Sequence, residues 1–171
     1  MVVEGADLKG AEVYGRDYKL AGFFDCDFTQ ANLAMAFMSG LEAVGCTFHD
    51  AELELASLDH SRLRDCTFED AQIVAAHFDH TRVAGGHFRK ASLARTTWDG
   101  AVVREVDFRE TYFGRTELKG GRFIGCDFRG AEFKETEFEG ESFEQCDLTD
   151  ATYEECDPSG ATSKECIGQP G

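Results

Sequence analysis

Every fifth residue of this chain is constrained. Written in blocks of five from Met1, the sequence puts a large apolar residue third in the block. Val3, Leu8, Val13, Tyr18, Phe23 and Phe28 open the series, and Phe123, Phe128, Phe133, Phe138, Phe143, Leu148 and Tyr153 close it. Two positions earlier stands a small residue in most blocks, as at Ala6, Ala11, Ala21, Cys26, Ala31 and Ala36. The other three positions are mostly polar or Gly, and no insertion breaks the phase from residue 1 to about 155. A period of five matches neither the helical period nor the alternation of a strand. On a helix the stripe would leave the apolar face within about two blocks. The chain must turn a corner once per block, with the small and the large residue inside and the rest outside.

A second period counts the corners. "CDFTQ" at 26–30 returns as "CTFHD" at 46–50, "CTFED" at 66–70, "CDFRG" at 126–130 and "CDLTD" at 146–150. Every copy lies a multiple of twenty from the first. Sorted by twenty, the large residues form columns of distinct character. One runs Leu8, Phe28, Phe48, Phe68, Phe88, Phe108, Phe128, Leu148, and the next Val13, Leu33, Leu53, Ile73, Leu93, Phe113, Phe133, Tyr153. Twenty residues therefore make one four-sided coil. About eight and a half coils at ~4.8 Å per strand spacing make a rod of roughly 40 Å. No coil can bury its core alone, so the expected fold is an all-β solenoid.

The blocks "ADLKG" at 6–10, "ANLAM" at 31–35, "CDFTQ", "CDFRG" and "AEFKE" at 131–135 resemble the motif of the pentapeptide-repeat family. That motif is a small residue, Asp or Asn, Leu or Phe, then two variable residues. The resemblance covers about 155 of the 171 residues and implies a right-handed quadrilateral β-helix of about eight coils. Arg16, Leu41, Gly86 and Glu141 depart from it in the small slot. Of these, Arg16 and Glu141 need an exit to solvent or a partner. A single repeat domain is expected over 1–155, with 156–171 a fraying polar tail. In that tail Pro158 and Ser163 fall where a large residue belongs, and "GQPG" cannot continue the coil.

No apolar stretch reaches membrane-spanning length, and "MVVEGADLKG" lacks a basic region followed by an apolar run. With seven Cys, an odd number, free thiols in a reducing, cytoplasmic setting are expected. The formal net charge of −16 argues against direct nucleic-acid binding. The charge is uneven. Residues 1–80 hold 15 acids and 5 bases, 81–131 hold 6 and 10, and 132–171 hold 12 and 2. A basic belt thus interrupts an acidic surface.

Cys26, Cys46, Cys66, Cys126, Cys146 and Cys166 share one column. Their spacing does not suit zinc, which favours short Cys-x-x-Cys pairs, and parallel in-register side chains do not converge into disulfides. The column reads as a small buried hydrophobe filling the slot. Cys156, in another column, is the expected reactive thiol. His60 and His80, one coil apart beside Asp59 and Asp79, read as a solvated ladder or as a small metal or pH site. No catalytic constellation is visible, a rod without loops offers no deep pocket, and neither an enzyme nor a cofactor is expected.

Apolar residues at outward positions are the informative ones. Tyr14, Ala34, Met35, Leu55, Val74, Ala75 and Ala94, with Tyr112 nearby, would form one patch on the third face; Phe24 and Val44 would form a smaller one on the first. Arg62, Arg82 and Arg122, with Arg64 and Arg104, form a basic ladder, free or paired with acids such as Asp65 and Glu105. Either end of the coil, or the third-face patch, could form a homodimer.

Some pentapeptide-repeat proteins are acidic rods that bind type II topoisomerases in place of duplex DNA and protect them from poisons such as quinolones and albicidin. The resemblance therefore implies DNA gyrase as a protein partner. Residues 132–155 form the densest acidic stretch for that role: Glu132, Glu135, Glu137, Glu139, Glu141, Glu144, Asp147, Asp150, Glu154 and Glu155. Two features expected of the gyrase-binding branch, a terminal dimerising helix and rod-breaking loops, are not evident. The alternative is a general interaction scaffold whose partner meets the apolar third face.

Overall fold

A computed structural model of the chain describes residues 1–168. It is a four-sided β-solenoid in which every pairing joins residues twenty apart. Face one carries β1 (Val2–Glu4), β2 (Gly22–Phe24), β3 (Glu42–Val44), β4 (Arg62–Arg64), β5 (Arg82–Ala84) and β6 (Val102–Arg104). On face three lie β7 (Tyr112–Gly114), β9 (Glu132–Lys134) and β11 (Thr152–Glu154). Face one continues with β8 (Arg122–Ile124), β10 (Ser142–Glu144) and β12 (Thr162–Lys164). The result is a nine-stranded parallel sheet on face one and a three-stranded one on face three. Faces two and four are stitched by single parallel bridges such as Asp27↔Thr47 and Phe37↔Ser57.

The corners explain the five-residue period. The fifth residue of a block adopts left-handed backbone, for example Leu20 (φ 55°), Met35 (56°), Leu55 (58°) and Ala75 (55°). Each such residue costs about 1 kcal/mol unless it is Gly. No Val, Ile or Thr occupies a fifth position through Glu165, because branching at Cβ makes that conformation worse. The motif Asp supports the same corner. The Asp27, Asp107, Asp127 and Asp147 carboxylates accept the backbone N–H two residues on, at 3.0, 2.9, 3.1 and 3.0 Å, a side-chain mimic of a turn.

Inside, Phe28, Phe48, Phe68, Phe88, Phe108 and Phe128 stack with ring centroids 4.5–5.2 Å apart, and Trp98 lies on Phe78 at 4.2 Å. The small slot does more than fill space. The Cys46 and Cys146 thiols donate to the Phe23 and Phe123 carbonyls at 3.4 Å. Ser61, Thr81, Thr111 and Thr136 donate to the equivalent carbonyls at 2.6–2.9 Å. Cys is thus one of several small donors for an inward carbonyl. The neighbouring thiol one coil below and burial together push the Cys66 and Cys146 thiols up. At the same slot Gly86 (φ 87°) packs so closely on the Cys66 backbone that no side chain fits.

Two departures stand out. The ladder passes the expected end at 155. After a 3₁₀ turn at Pro158–Gly160, β12 pairs with β10, and Ile167 bridges Asp147. The pairing is made by backbone, so Ser163 in the large slot does not prevent it; residues 169–171 lie outside the described residues. The second departure is Glu141, whose side chain is fully buried in the small slot with neither carboxylate oxygen hydrogen-bonded. Arg16, by contrast, is exposed.

Candidate functional site

The rod offers surfaces rather than a cleft. On face three the outward corner residues Tyr14, Met35 and Leu55 are 57, 42 and 49 % exposed, and the Tyr14 hydroxyl touches the Met35 sulfur. Val74, Ala75 and Tyr112 are half-buried on the same face. The expected strip is therefore assembled, and its exposed part lies in the first three coils. The sequence reading missed a neighbouring feature on face four. Leu20 is 79 % exposed and Phe37 is half exposed with the Lys19 ammonium over its ring at 5.0 Å. A Phe second in its block was the available signal.

The acidic stretch is arranged differently from its linear appearance. It winds around all four faces: Glu132, Glu135, Glu154 and Glu155 on face three, Glu137 and Glu139 on face four, Glu144 on face one, and Asp147 and Asp150 on face two. Glu141 points into the core and cannot meet a partner, a correction that follows from its place in the small slot. Half of the stretch is neutralised by the coil below. Arg115 pairs with Glu135 at 2.8 Å, Lys119 with Glu139 at 2.9 Å, Arg122 with Glu144 at 3.4 Å, Lys134 with Glu154 at 2.7 Å, and Arg129 reaches Asp147 at 3.7 Å. The Arg115 guanidinium holds the Glu135 carboxyl below its usual range. Glu132, Glu137, Asp150 and Glu155 remain outward, and Glu137, Glu139, Glu155 and Asp157 line a recess of about 630 Å³ beside the 3₁₀ turn.

The first four coils show the opposite balance. Among the described residues, the only Lys or Arg ion pair within 1–80 is Lys9–Asp27 at 3.1 Å. Glu52 and Glu54 are exposed and Glu69 and Asp70 partly so. None of the four is ion-paired to a Lys or Arg among the described residues, although Arg89 and Lys90 stand one coil above Glu69 and Asp70. Sequence reading ranked 132–155 above this region because it counted acids along the chain. The structure counts them across coils, where the basic belt supplies partners one turn earlier.

Smaller clusters are also placed. His60 and His80 stack at 5.0 Å between ring centroids. Ligand atoms of Asp59, His77 and Asp79 lie within 4.8 Å of one another; Asp59 and Asp79 already accept hydrogen bonds from the coil above, and His77 contacts Thr97 at 3.1 Å. The Cys156 thiol is half-buried and donates to the Phe133 carbonyl at 3.4 Å. Phe24 and Val44 are half-buried on face one. Among the described residues, no helix is long and apolar enough to cross a membrane.

The chain matches a family model described as pentapeptide repeat region over residues 43–118. A second model, pentapeptide repeats (8 copies), matches over 21–59 and 111–150. No curated protein sequence matches it. Among solved structures it is similar to HetL, a pentapeptide repeat protein involved in heterocyst differentiation regulation in the cyanobacterium Nostoc. That match has a TM-score of 0.60 at 16 % identity, covering 95 % of this chain and 84 % of that one. It is also similar to a trypsin-treated variant of QnrB1, a plasmid-mediated fluoroquinolone resistance protein, with a TM-score of 0.55 at 21 % identity over 97 % and 90 % of the two chains. Rfr23 from the cyanobacterium Cyanothece gives a TM-score of 0.54 at 14 % identity, covering 75 % and 91 %. At these identities the likeness is one of fold.

Proposed function

This chain belongs to the pentapeptide-repeat family, and from that premise we propose that it is a non-enzymatic, cytoplasmic binding protein whose acidic first four coils occupy the duplex-binding saddle of a type II topoisomerase, DNA gyrase foremost. One observation carries the reading. Residues 1–80 hold 15 acids against 5 bases. Spread over four coils at ~4.8 Å each, that surplus is one negative charge per ~1.9 Å of axis, against ~1.7 Å for duplex DNA. Residues 81–171 hold 18 acids against 12 bases, a smaller surplus, because the belt at 81–131 offsets part of the terminal acids by pairing across coils. The match is supported further by fold likeness to QnrB1, a fluoroquinolone resistance protein.

Binding of this kind sets the enzyme's access to DNA, and so its response to poisons. The test is gyrase supercoiling titrated with the protein, with and without a quinolone. The expected result is partial inhibition alone and rescue in the presence of the drug. Neither effect at micromolar protein would reject the proposal.

A second reading rests on the exposed strip Tyr14, Met35 and Leu55, a contact surface for a protein partner that is not displaced by DNA. Leu55→Glu with Val74→Glu would abolish that contact and leave gyrase inhibition unchanged.

A further inference from the structure

Face one departs from the acidity of the rod. On β3–β6 its outward residues stand in two registered columns, Glu42–Arg62–Arg82–Val102 and Val44–Arg64–Ala84–Arg104. Ala84 is the short residue between Arg64 and Arg104. Around it lies a shallow cavity of about 300 Å³ whose floor is Val44, Val83, Ala84 and Val102. All four arginines are exposed, and among the described residues none of their guanidinium groups has an acid partner. Asp65 and Glu105, the acids adjacent in sequence, do not pair with them. Further along the rod Arg115, Lys119, Arg122 and Lys134 each hold a Glu from the next coil. Among the described residues Arg16, Lys90 and Arg95 also lack an acid partner but stand apart from one another. Arg62 and Arg82 are direct neighbours in the sheet, a like-charge pair that destabilises unless an anion lies between.

We infer that this groove docks an extended, acidic peptide segment of a partner protein. Guanidinium forks suit carboxylates, which they hold by paired hydrogen bonds. An extended segment sends successive side chains to opposite sides, so its carboxylates address both arginine columns while its backbone crosses the apolar dip at Ala84. A long polyanion fits less well. Glu42 closes one end of the groove, the Arg122–Glu144 pair occupies the other, and the remaining faces repel it. A second copy fits less well too, since a two-fold contact through this face would set arginine against arginine.

The test is fluorescence anisotropy of labelled decaglutamate with the full chain, run beside a single-stranded oligonucleotide of equal length and a decalysine control. The expected result is saturable binding of the acidic peptide, weakened by salt. The variant carrying Arg64→Ala and Arg104→Ala should lose about tenfold or more in affinity, with its circular dichroism unchanged. Arg95→Ala, an exposed arginine on face three, should bind as the parent does. No peptide binding, tighter binding of the oligonucleotide, equal loss in the Arg95 variant, or sedimentation as a dimer that the Arg64 and Arg104 changes dissolve would each overturn the inference. Gyrase binding is read separately: its proposed contact is made by the acids of the first four coils, and Arg64→Ala removes a cation from those coils without touching any of those acids.

Discussion

At the scale of single residues, two positions make the physics testable. Ala75 sits at a corner with φ 55°. Ala75→Gly should stabilise the protein by about 1 kcal/mol by relieving left-handed strain, and Ala75→Val should destabilise it by at least as much. Urea denaturation reads both, and a Val variant as stable as the parent would refute the corner account. Glu141 is the other position. Burial pushes its carboxyl above the ordinary 4.5, so the folded state holds a proton that the unfolded chain releases. That acid is tolerated best below about pH 4.5. Its cost grows as pH rises through the folded value. Its column neighbours are Ala101, Gly121 and Ala161, so Glu141→Ala should fit and raise stability at pH 7 by about 1–3 kcal/mol. The gain should shrink at pH 4, as thermal melts at the two values would show. Asp107 has the opposite sign. Burial works against its charge, but the Arg109 guanidinium and backbone N–H hold its carboxyl below the usual range. The stability it contributes is present above about pH 3.8 and is lost as pH falls through the folded value.

At the scale of the element, the unit is the twenty-residue coil and not the strand. Phe88 lies mid-stack between Phe68 and Phe108, so Phe88→Ala should cost about 3–5 kcal/mol. Removing residues 71–90 should leave a shorter folded rod, since every column closes in register. Removing 71–80 should not, because it sets face three on face one. Far-ultraviolet circular dichroism and melting of the two deletions decide this. The same unit explains what could be read from sequence. Slots, faces and columns were legible because each depends on a side chain's size at a fixed period. The exposed strip at Met35 and Leu55 followed from that bookkeeping. Pairing across coils was not read: Arg115 meets Glu135 only when acids and bases are compared twenty apart. The passage of the ladder beyond 155 was hidden because backbone hydrogen bonds leave no mark in the side chains. The hydrogen-bonding role of the Cys column was also missed, although Ser61, Thr81 and Thr111 in the equivalent slots carried the signal.

At the scale of the whole molecule, the coil makes charge a surface property of position along the axis. The first four coils hold a single Lys or Arg ion pair among the described residues, the middle is basic, and the last coils are partly paired with the middle. On the proposed function, DNA-like behaviour belongs to the first half of the rod, and on the further inference a carboxylate-binding groove belongs to one face of its centre. The most direct measurement is displacement of a labelled duplex from gyrase by the intact protein. The parent protein should displace it. Glu52→Lys with Glu69→Lys should abolish displacement, and Glu137→Lys with Asp150→Lys should leave it nearly intact. Failure of the parent to displace the duplex, or loss confined to the variant at 137 and 150, would contradict the account.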